Sequence, residues 1–460
     1  MKRGKQRASR IGIDVRGNMK DRIKATIHNI NKIDTFSPYF FFPFILMAYF
    51  IISLFDFWRF DLFNVRKSIW PAVILAVLCY YIGVYVVDRK NWTLPTFGLS
   101  KLSKFIVHFV VLLTAIGLVA YGMMIAQGMI GLSDESVRRN LDPKLNFFSH
   151  LLWYGVLILL SYKMIKEKTM TVKKAIIYVL LFGLVMGLFL LMGYRTPLAL
   201  MMFTGIIVFH YVVKRIKLTW FLTFLTVVAI SFALFGFFRV LMEDTSKEFN
   251  TREQPDREHM EEEELEKLLT AEQRVNATPK WILALNGEMV TGHIVLSKII
   301  EYTEKEDYFH GEIHKGIFST VLPGEQISPR MKVTEVVNSL SVEEGKYITR
   351  PGRTTTPTFI GQLFLDGGYL LVAIGFLLYG AIVSMLYNKV KQAGVKSFHT
   401  IAYAFVITMF TVSIHTGLLD LIFILMLGFV ILASAISKTE KEHIGIDVEA
   451  SLGTRSLYGK

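Results

Sequence analysis

The sequence predicts an all-α polytopic membrane protein, with about ten transmembrane helices and a mainly helical extracytoplasmic domain between the seventh and eighth. Three observations carry this. Hydrophobic residues make up 52% of the 460-residue chain and the mean hydropathy is +0.43, more apolar than a soluble chain of this length. The apolar residues come in blocks of about twenty, enough helix to cross a hydrocarbon core about 30 Å thick. None of the 51 lysines and arginines falls inside a block.

The blocks are 38–56, 69–87, 105–127, 147–162, 175–193, 197–213, 218–238, 359–387, 398–415 and 418–437. The last two are nearly continuous, and His415, Gly417 and Asp420 mark the turn between them. Residues 1–37 form a polar, basic tail without an apolar signal-peptide core, so the first span is expected to be retained as an anchor. Residues 38–238 hold seven helices, and 239–358 are hydrophilic and long enough for a small domain. Within that domain the acidic stretch 253–272 reads as a solvated helix face. The segment beginning WILALNGEMVTGHIVLSKII is apolar enough to pack on the membrane domain. Residues 359–437 hold three more helices and 438–460 form a C-terminal tail.

A net charge of +13 would suggest a nucleic-acid partner in a soluble chain; here topology explains most of it, and no nucleic acid is expected. The N-terminal tail, the C-terminal tail and alternate loops collect 29 of the 51 cations, whereas the short loops of the other side hold seven. The positive-inside rule therefore predicts a cell-membrane protein with both termini cytoplasmic and 239–358 outside. The single cysteine, Cys79, lies within an apolar run, which excludes an intrachain disulfide.

That orientation gathers the chemistry-bearing residues at one face. In GYRTP, Gly193 and Pro197 make an interhelical turn and the proline pre-sets the next helix. Arg195 in this outer turn is not explained by the positive-inside rule. Either it is an interfacial arginine that snorkels or caps a carbonyl, or it points into a cavity and binds an anion, with Tyr194 as a hydrogen-bond donor. Arg239 ends the seventh span and poses the same choice. The segment GKYITRPGRTTTPTFIGQLFLDGGYL holds Arg350, Arg353, Thr354 and Thr355 ahead of a glycine-rich helix start. Pro357 suits that helix's first turn and the threonines suit its cap, so an anion site is expected there. Asp366 is either a helix-end residue or an orienting acid.

His293, His310 and His314 lie in the outer domain, and His415 at an outer helix end. His310 and His314 have the i, i+4 spacing of a metal pair, but Gly311 and Gly316 argue against a helix there and no third ligand is evident. A single histidine acting as general base fits better. Asn276-Ala-Thr278 is a weak glycosylation triplet. No span carries a charge near its middle, and the first outer loop has no adjacent acidic pair. There is no P-loop, nucleophile elbow or HExxH.

With these residues in place, the chain resembles the oligosaccharide repeat-unit polymerases, the Wzy-type O-antigen and exopolysaccharide polymerases, whose relatives include the O-antigen ligases. The resemblance rests on about ten spans with one large late outer domain and on GYRTPLALMM at an outer turn. It rests also on the spacing from Arg350 to Gly361 leading into TPTFIGQLFLDGGYLLVAIGFLLYG. It implies a GT-C-like glycosyltransferase working at the outer leaflet with no metal and no cofactor. Donor and acceptor would be polyprenyl-diphosphate-linked oligosaccharides drawn from the membrane lipid, and the transfer would invert the anomeric carbon. Arg195, Arg239 and Arg353, with Arg350 in support, would hold the departing diphosphate. His293 or Asp366 would orient or deprotonate the acceptor, and Tyr194, Thr354, Thr355, His310 and His415 would line the substrate. The resemblance also implies a chain-length regulator and a flippase of the same pathway as partners. An O-antigen-type ligase, a lipid-linked oligosaccharide flippase and a non-catalytic assembly scaffold remain the alternatives.

Overall fold

The computed structural model describes residues 34–54, 67–97, 100–128, 142–167, 169–242, 280–319, 329–342 and 355–437. Most of the N-terminal tail, the acidic stretch 253–272, the Asn276 triplet and the whole C-terminal tail 438–460 lie outside these residues. The described residues form thirteen helices and no strand. In chain order these are α1 (Phe41–Ile52), α2 (Trp70–Arg89), α3 (Ser100–Ala126), α4 (Pro143–Lys166), α5 (Val172–Leu191), α6 (Thr196–Val212) and α7 (Leu218–Met242). They continue with α8 (Lys280–Glu306), α9 (Glu312–Ser319), α10 (Pro329–Val342), α11 (Phe359–Ala393), α12 (Phe398–Thr416) and α13 (Leu421–Ile436).

Each of the ten predicted apolar blocks coincides with one helix, α1 to α7 and α11 to α13. Six of these, within α2, α3, α4, α5, α11 and α12, are long and apolar enough to cross a membrane. The other four, α1, α6, the described part of α7 and α13, are shorter apolar helices. Helices α8, α9 and α10 lie within 239–358, so the described residues of that segment are mainly helical, as expected.

Local signals set the helix ends. Asp142 caps α4, its Oδ1 accepting from the N–H groups of Lys144 at 2.7 Å and Leu145 at 3.2 Å, with Pro143 in the first turn. Gly193 at φ 76° closes α5, and Pro197 sits in the first turn of α6, as the GYRTP reading expects. For α11 the expectation needs correction. Pro357 precedes the cap rather than entering the first turn, and Thr358 is the cap, its Oγ1 accepting from Gly361 N at 3.0 Å.

Burial separates the hub from the rim. In α12, 78% of the apolar window is buried inside the protein, against 17% for Lys173–Leu191, so α12 is the central post and α5 stands at the rim with its apolar side chains exposed. Helix α12 packs against α11, α6, α13, α1 and α4. Helices α2 and α11 cross at paired glycines. A Cβ on Gly83 would lie 2.1 Å from Leu377 O, and one on Gly380 would lie 2.2 Å from Tyr80 O. Backbones meet here because neither residue has a side chain to hold them apart.

Helix α11 is two pieces. Gly367 (φ −171°, ψ 27°) and Gly368 (φ 58°, ψ −148°) are non-helical, which divides a short half-helix, 359–366, from the long span. Gly368 holds a backbone region open essentially to glycine alone, and the Tyr308 ring packs where a Cβ would be, 2.7 Å away. A break frees backbone groups that cost several kcal/mol each if left unpaired in hydrocarbon. One is recovered when Phe309 N donates to Leu365 O at 2.8 Å, which docks the domain on the break.

At the opposite end of the bundle, Asp34 ties the chain's entry into α1 to two helices, α6 and α11. It accepts from Tyr387 Oη at 2.6 Å, Tyr211 Oη at 3.0 Å and Phe36 N at 3.2 Å, and His210 Nε2 lies 3.3 Å away. Burial raises its pKa, but the hydrogen bond and charge of His210 and the two tyrosine hydroxyls outweigh burial and hold the carboxyl below its ordinary range.

Candidate functional site

The half-helix 359–366 ends on Asp366, whose side chain is fully buried. Its carboxylate accepts from Ile313 N at 3.0 Å, from His314 N at 2.9 Å, and from the Nδ1 of His314. The first two bonds cap the N-terminus of α9 from another element, satisfying N–H groups that a helix start otherwise leaves orphaned. The third fixes the imidazole. An ionised carboxylate only accepts, so Nδ1 carries the proton and Nε2 is left as the basic nitrogen. The His314 side chain is 36% exposed, and its Nε2 lies 3.4 Å from Gln362 Nε2. Gln362 is held in turn, its Oε1 accepting from Leu418 N at 2.6 Å and its Nε2 donating to Leu418 O at 3.2 Å.

The turn 417–420 that binds Gln362 joins this dyad to a second polar group. Asp420 takes a two-pronged hydrogen bond from Arg330 of α10, Nε to Oδ1 at 3.1 Å and Nη2 to Oδ2 at 2.6 Å. Burial raises the Asp420 pKa, but the Arg330 charge and hydrogen bond, with the nearby His150 ring, more than reverse this and hold it below its ordinary range. Arg330 also interacts electrostatically with Tyr194. Tyr194 donates to Asn146 Oδ1 at 2.9 Å, and its ring lies 5.3 Å from that of His150. The GYRTP turn therefore stands beside a forked guanidinium–carboxylate pair.

On its other side the same layer continues through Tyr49, whose hydroxyl lies 2.8 Å from His415 Nδ1. Tyr49 passes so close to Gly292 of α8 that a Cβ there would lie 2.2 Å from its hydroxyl. One residue along α8, His293 Nδ1 lies 2.9 Å from Ser53 Oγ, and burial lowers its pKa.

The predicted residues fall as follows. Asp366, Tyr194 and His415 belong to this layer, and Arg195 lies partly buried beside Tyr194. His293 is in the layer but engaged with Ser53. Thr355 is buried, its N–H donating to Thr334 Oγ1 at 2.9 Å. His310 sits in a left-handed turn (φ 49°), 71% exposed, 3.6 Å from Asp307. Arg239 lies in α7, but its side chain, like Arg350, Arg353 and Thr354 entirely, is outside the described residues. The expectation that Gly311 and Gly316 argue against a helix holds for His310 and Gly311, which precede α9 in left-handed turn conformations (φ 49° and 92°), and needs correction for His314 and Gly316. Helix α9 runs through His314 and Gly316, because Asp366 caps its start and Ile313 and Ile317 are buried one turn apart. Among the described residues no cluster of three or more His, Cys, Asp or Glu could hold a metal ion.

Sequence reasoning did not single out His314 among the histidines, nor Gln362 or Arg330 among the outer polar residues. A lone aspartate in an apolar glycine-rich helix entry was the one signal toward the first, since such a group needs a buried partner.

The family model described as "Putative O-antigen polymerase" matches residues 34–254 and 288–427. No curated protein and no solved structure matches the chain.

Proposed function

The chain belongs to the O-antigen polymerase family, and from that premise we propose that it is a membrane glycosyltransferase. It joins polyprenyl-diphosphate-linked oligosaccharide repeat units at the outer leaflet. The termini are cytoplasmic and α8 to α10 face outward, consistent with the distribution of lysine and arginine.

In the proposed step an acceptor sugar hydroxyl attacks the anomeric carbon of the donor. The new glycosidic C–O bond forms as the bond to the diphosphate oxygen breaks, with inversion. His314 Nε2 takes the hydroxyl proton, and Asp366 orients the ring and balances the imidazolium that forms. The departing diphosphate gains charge without a metal. Arg195, Arg239, Arg350 and Arg353 stabilise it, guanidinium matching phosphate oxygens two at a time. Arg330, steadied by Asp420, adds positive potential beside the Arg195 turn. The observation that carries this reading is the buried Asp366 carboxylate aimed at Nδ1 of a partly exposed His314.

The test is complementation of a polymer-deficient strain with His314→Gln, Asp366→Asn and Arg195→Ala, with membrane abundance matched to wild type. Loss of long glycan chains supports the reading; a normal chain-length distribution in all three overturns it.

A further inference from the structure

At the end of the bundle away from His314, a groove of about 450 Å3 opens where α6 turns into α7. Its floor is apolar, made by Ile206 and Phe209 of α6 and Phe224 of α7. Its rim is the four-residue turn Lys214, Arg215, Ile216 and Lys217, with Lys214 and Lys217 exposed. Trp220 flanks it with 70% of its surface open, and Val227 and Ile230 continue an exposed apolar face along α7.

The turn is held in shape rather than merely charged. Ile216 N donates to His210 Nδ1 at 2.9 Å, and Thr35 Oγ1 donates to Ile216 O at 3.4 Å. His210 is itself fixed by the buried Asp34, and Phe36 packs edge-on against both His210 and Phe221. The backbone between the cations is thus pinned from both sides, so binding an anion there costs little ordering.

We infer that this groove holds an anionic glycerophospholipid of the cytoplasmic leaflet, its phosphate on Lys214, Arg215 and Lys217 and its acyl chains along α7. Charge complementarity selects a phosphate-bearing headgroup. The exposed apolar face beside the groove selects a ligand that arrives with its own hydrocarbon, and basic pockets between helices on this face are suited to anionic headgroups. An aromatic ring at the rim belongs at headgroup depth. The site is separate from the proposed reaction, which lies at the other end of the bundle. It shares only the orientation of the chain with that reading.

Full-length protein in phosphatidylcholine nanodiscs containing brominated phosphatidylglycerol tests this through quenching of tryptophan fluorescence. The expected result is stronger quenching than by brominated phosphatidylcholine at equal mole fraction, with the excess lost in Trp220→Phe. Lys217→Gln and Lys214→Gln should each weaken apparent phosphatidylglycerol affinity roughly fivefold, equivalent to about 1 kcal/mol per cation. Lys217→Gln alone suffices if Lys214→Gln does not fold. Glycan elongation in detergent should stay at the wild-type level in both, so a failure here leaves the catalytic reading standing. Equal quenching by the two lipids, or full affinity in the lysine variants, overturns the inference. So does displacement of phosphatidylglycerol by a small excess of polyprenyl monophosphate, which would assign the groove to the carrier.

Discussion

Asp366 and His314, 52 residues apart in sequence, are joined twice, through the backbone N–H of His314 and through its ring Nδ1. One carboxylate both starts α9 and sets the tautomer of the histidine that α9 carries. Structure and chemistry are coupled at this point, because removing the carboxylate uncaps the helix and frees the ring together.

Asp366→Asn keeps the size of the side chain but presents an amide where the ring N–H needs a carboxylate. Elongation should fall roughly 10²- to 10⁴-fold, the range of a disabled acid–base group. Apparent KM for the acceptor should change little, because the Asp366 side chain is fully buried behind His314. A purely structural role would instead lower membrane abundance and leave the specific rate of the surviving protein unchanged.

Arg195→Ala should abolish long chains in a complementation assay read by gel, while Arg195→Lys should restore them only in part. Lysine supplies the charge but not the planar fork. Full rescue by lysine would argue for simple interfacial anchoring.

Arg330→Ala, Asp420→Ala and the double variant form a thermodynamic cycle read by thermal unfolding in detergent. The side chains are 26% and 36% exposed, so solvent screens the pair, and a coupling of about 1 kcal/mol is expected. The folded pKa of Asp420 is depressed, so its contribution is complete above the ordinary carboxylate value of 3.8 and is lost as pH falls below it. The stability gap between wild type and Asp420→Asn should therefore narrow on acidification through that range.

Gly368→Ala should destabilise the protein by about 1–3 kcal/mol from backbone conformation alone, before the clash with Tyr308 is counted. Adding Tyr308→Ala should recover the steric part and leave the backbone part, as measured by the melting temperature of each variant.

The helices were legible because apolar blocks of membrane length have few competing readings; all ten coincide with a helix. What sequence could not supply was long-range pairing. Arg330 and Asp420 are 90 residues apart, and nothing local to either marks the other. Helix α9 was misjudged for a related reason, since Gly311 before it and Gly316 within it speak against a helix until a distant carboxylate supplies the cap. The glycine-rich entry to α11 was visible, but the break at Gly367 and Gly368 depends on Tyr308 and Phe309 docking from the domain. Arg195 and Asp366 could be singled out as charges lacking a topological excuse. His314 could not, because what distinguishes it from the other histidines is its contact with Asp366.

The most direct measurement is single-turnover elongation of a lipid-linked repeat unit by purified full-length protein in detergent with chelator present. Wild type should extend the glycan without a bilayer, and His314→Gln at equal abundance should be slower by about 10²-fold or more. Wild-type rates in His314→Gln would contradict the account, as would elongation that appears only once a sealed bilayer is supplied.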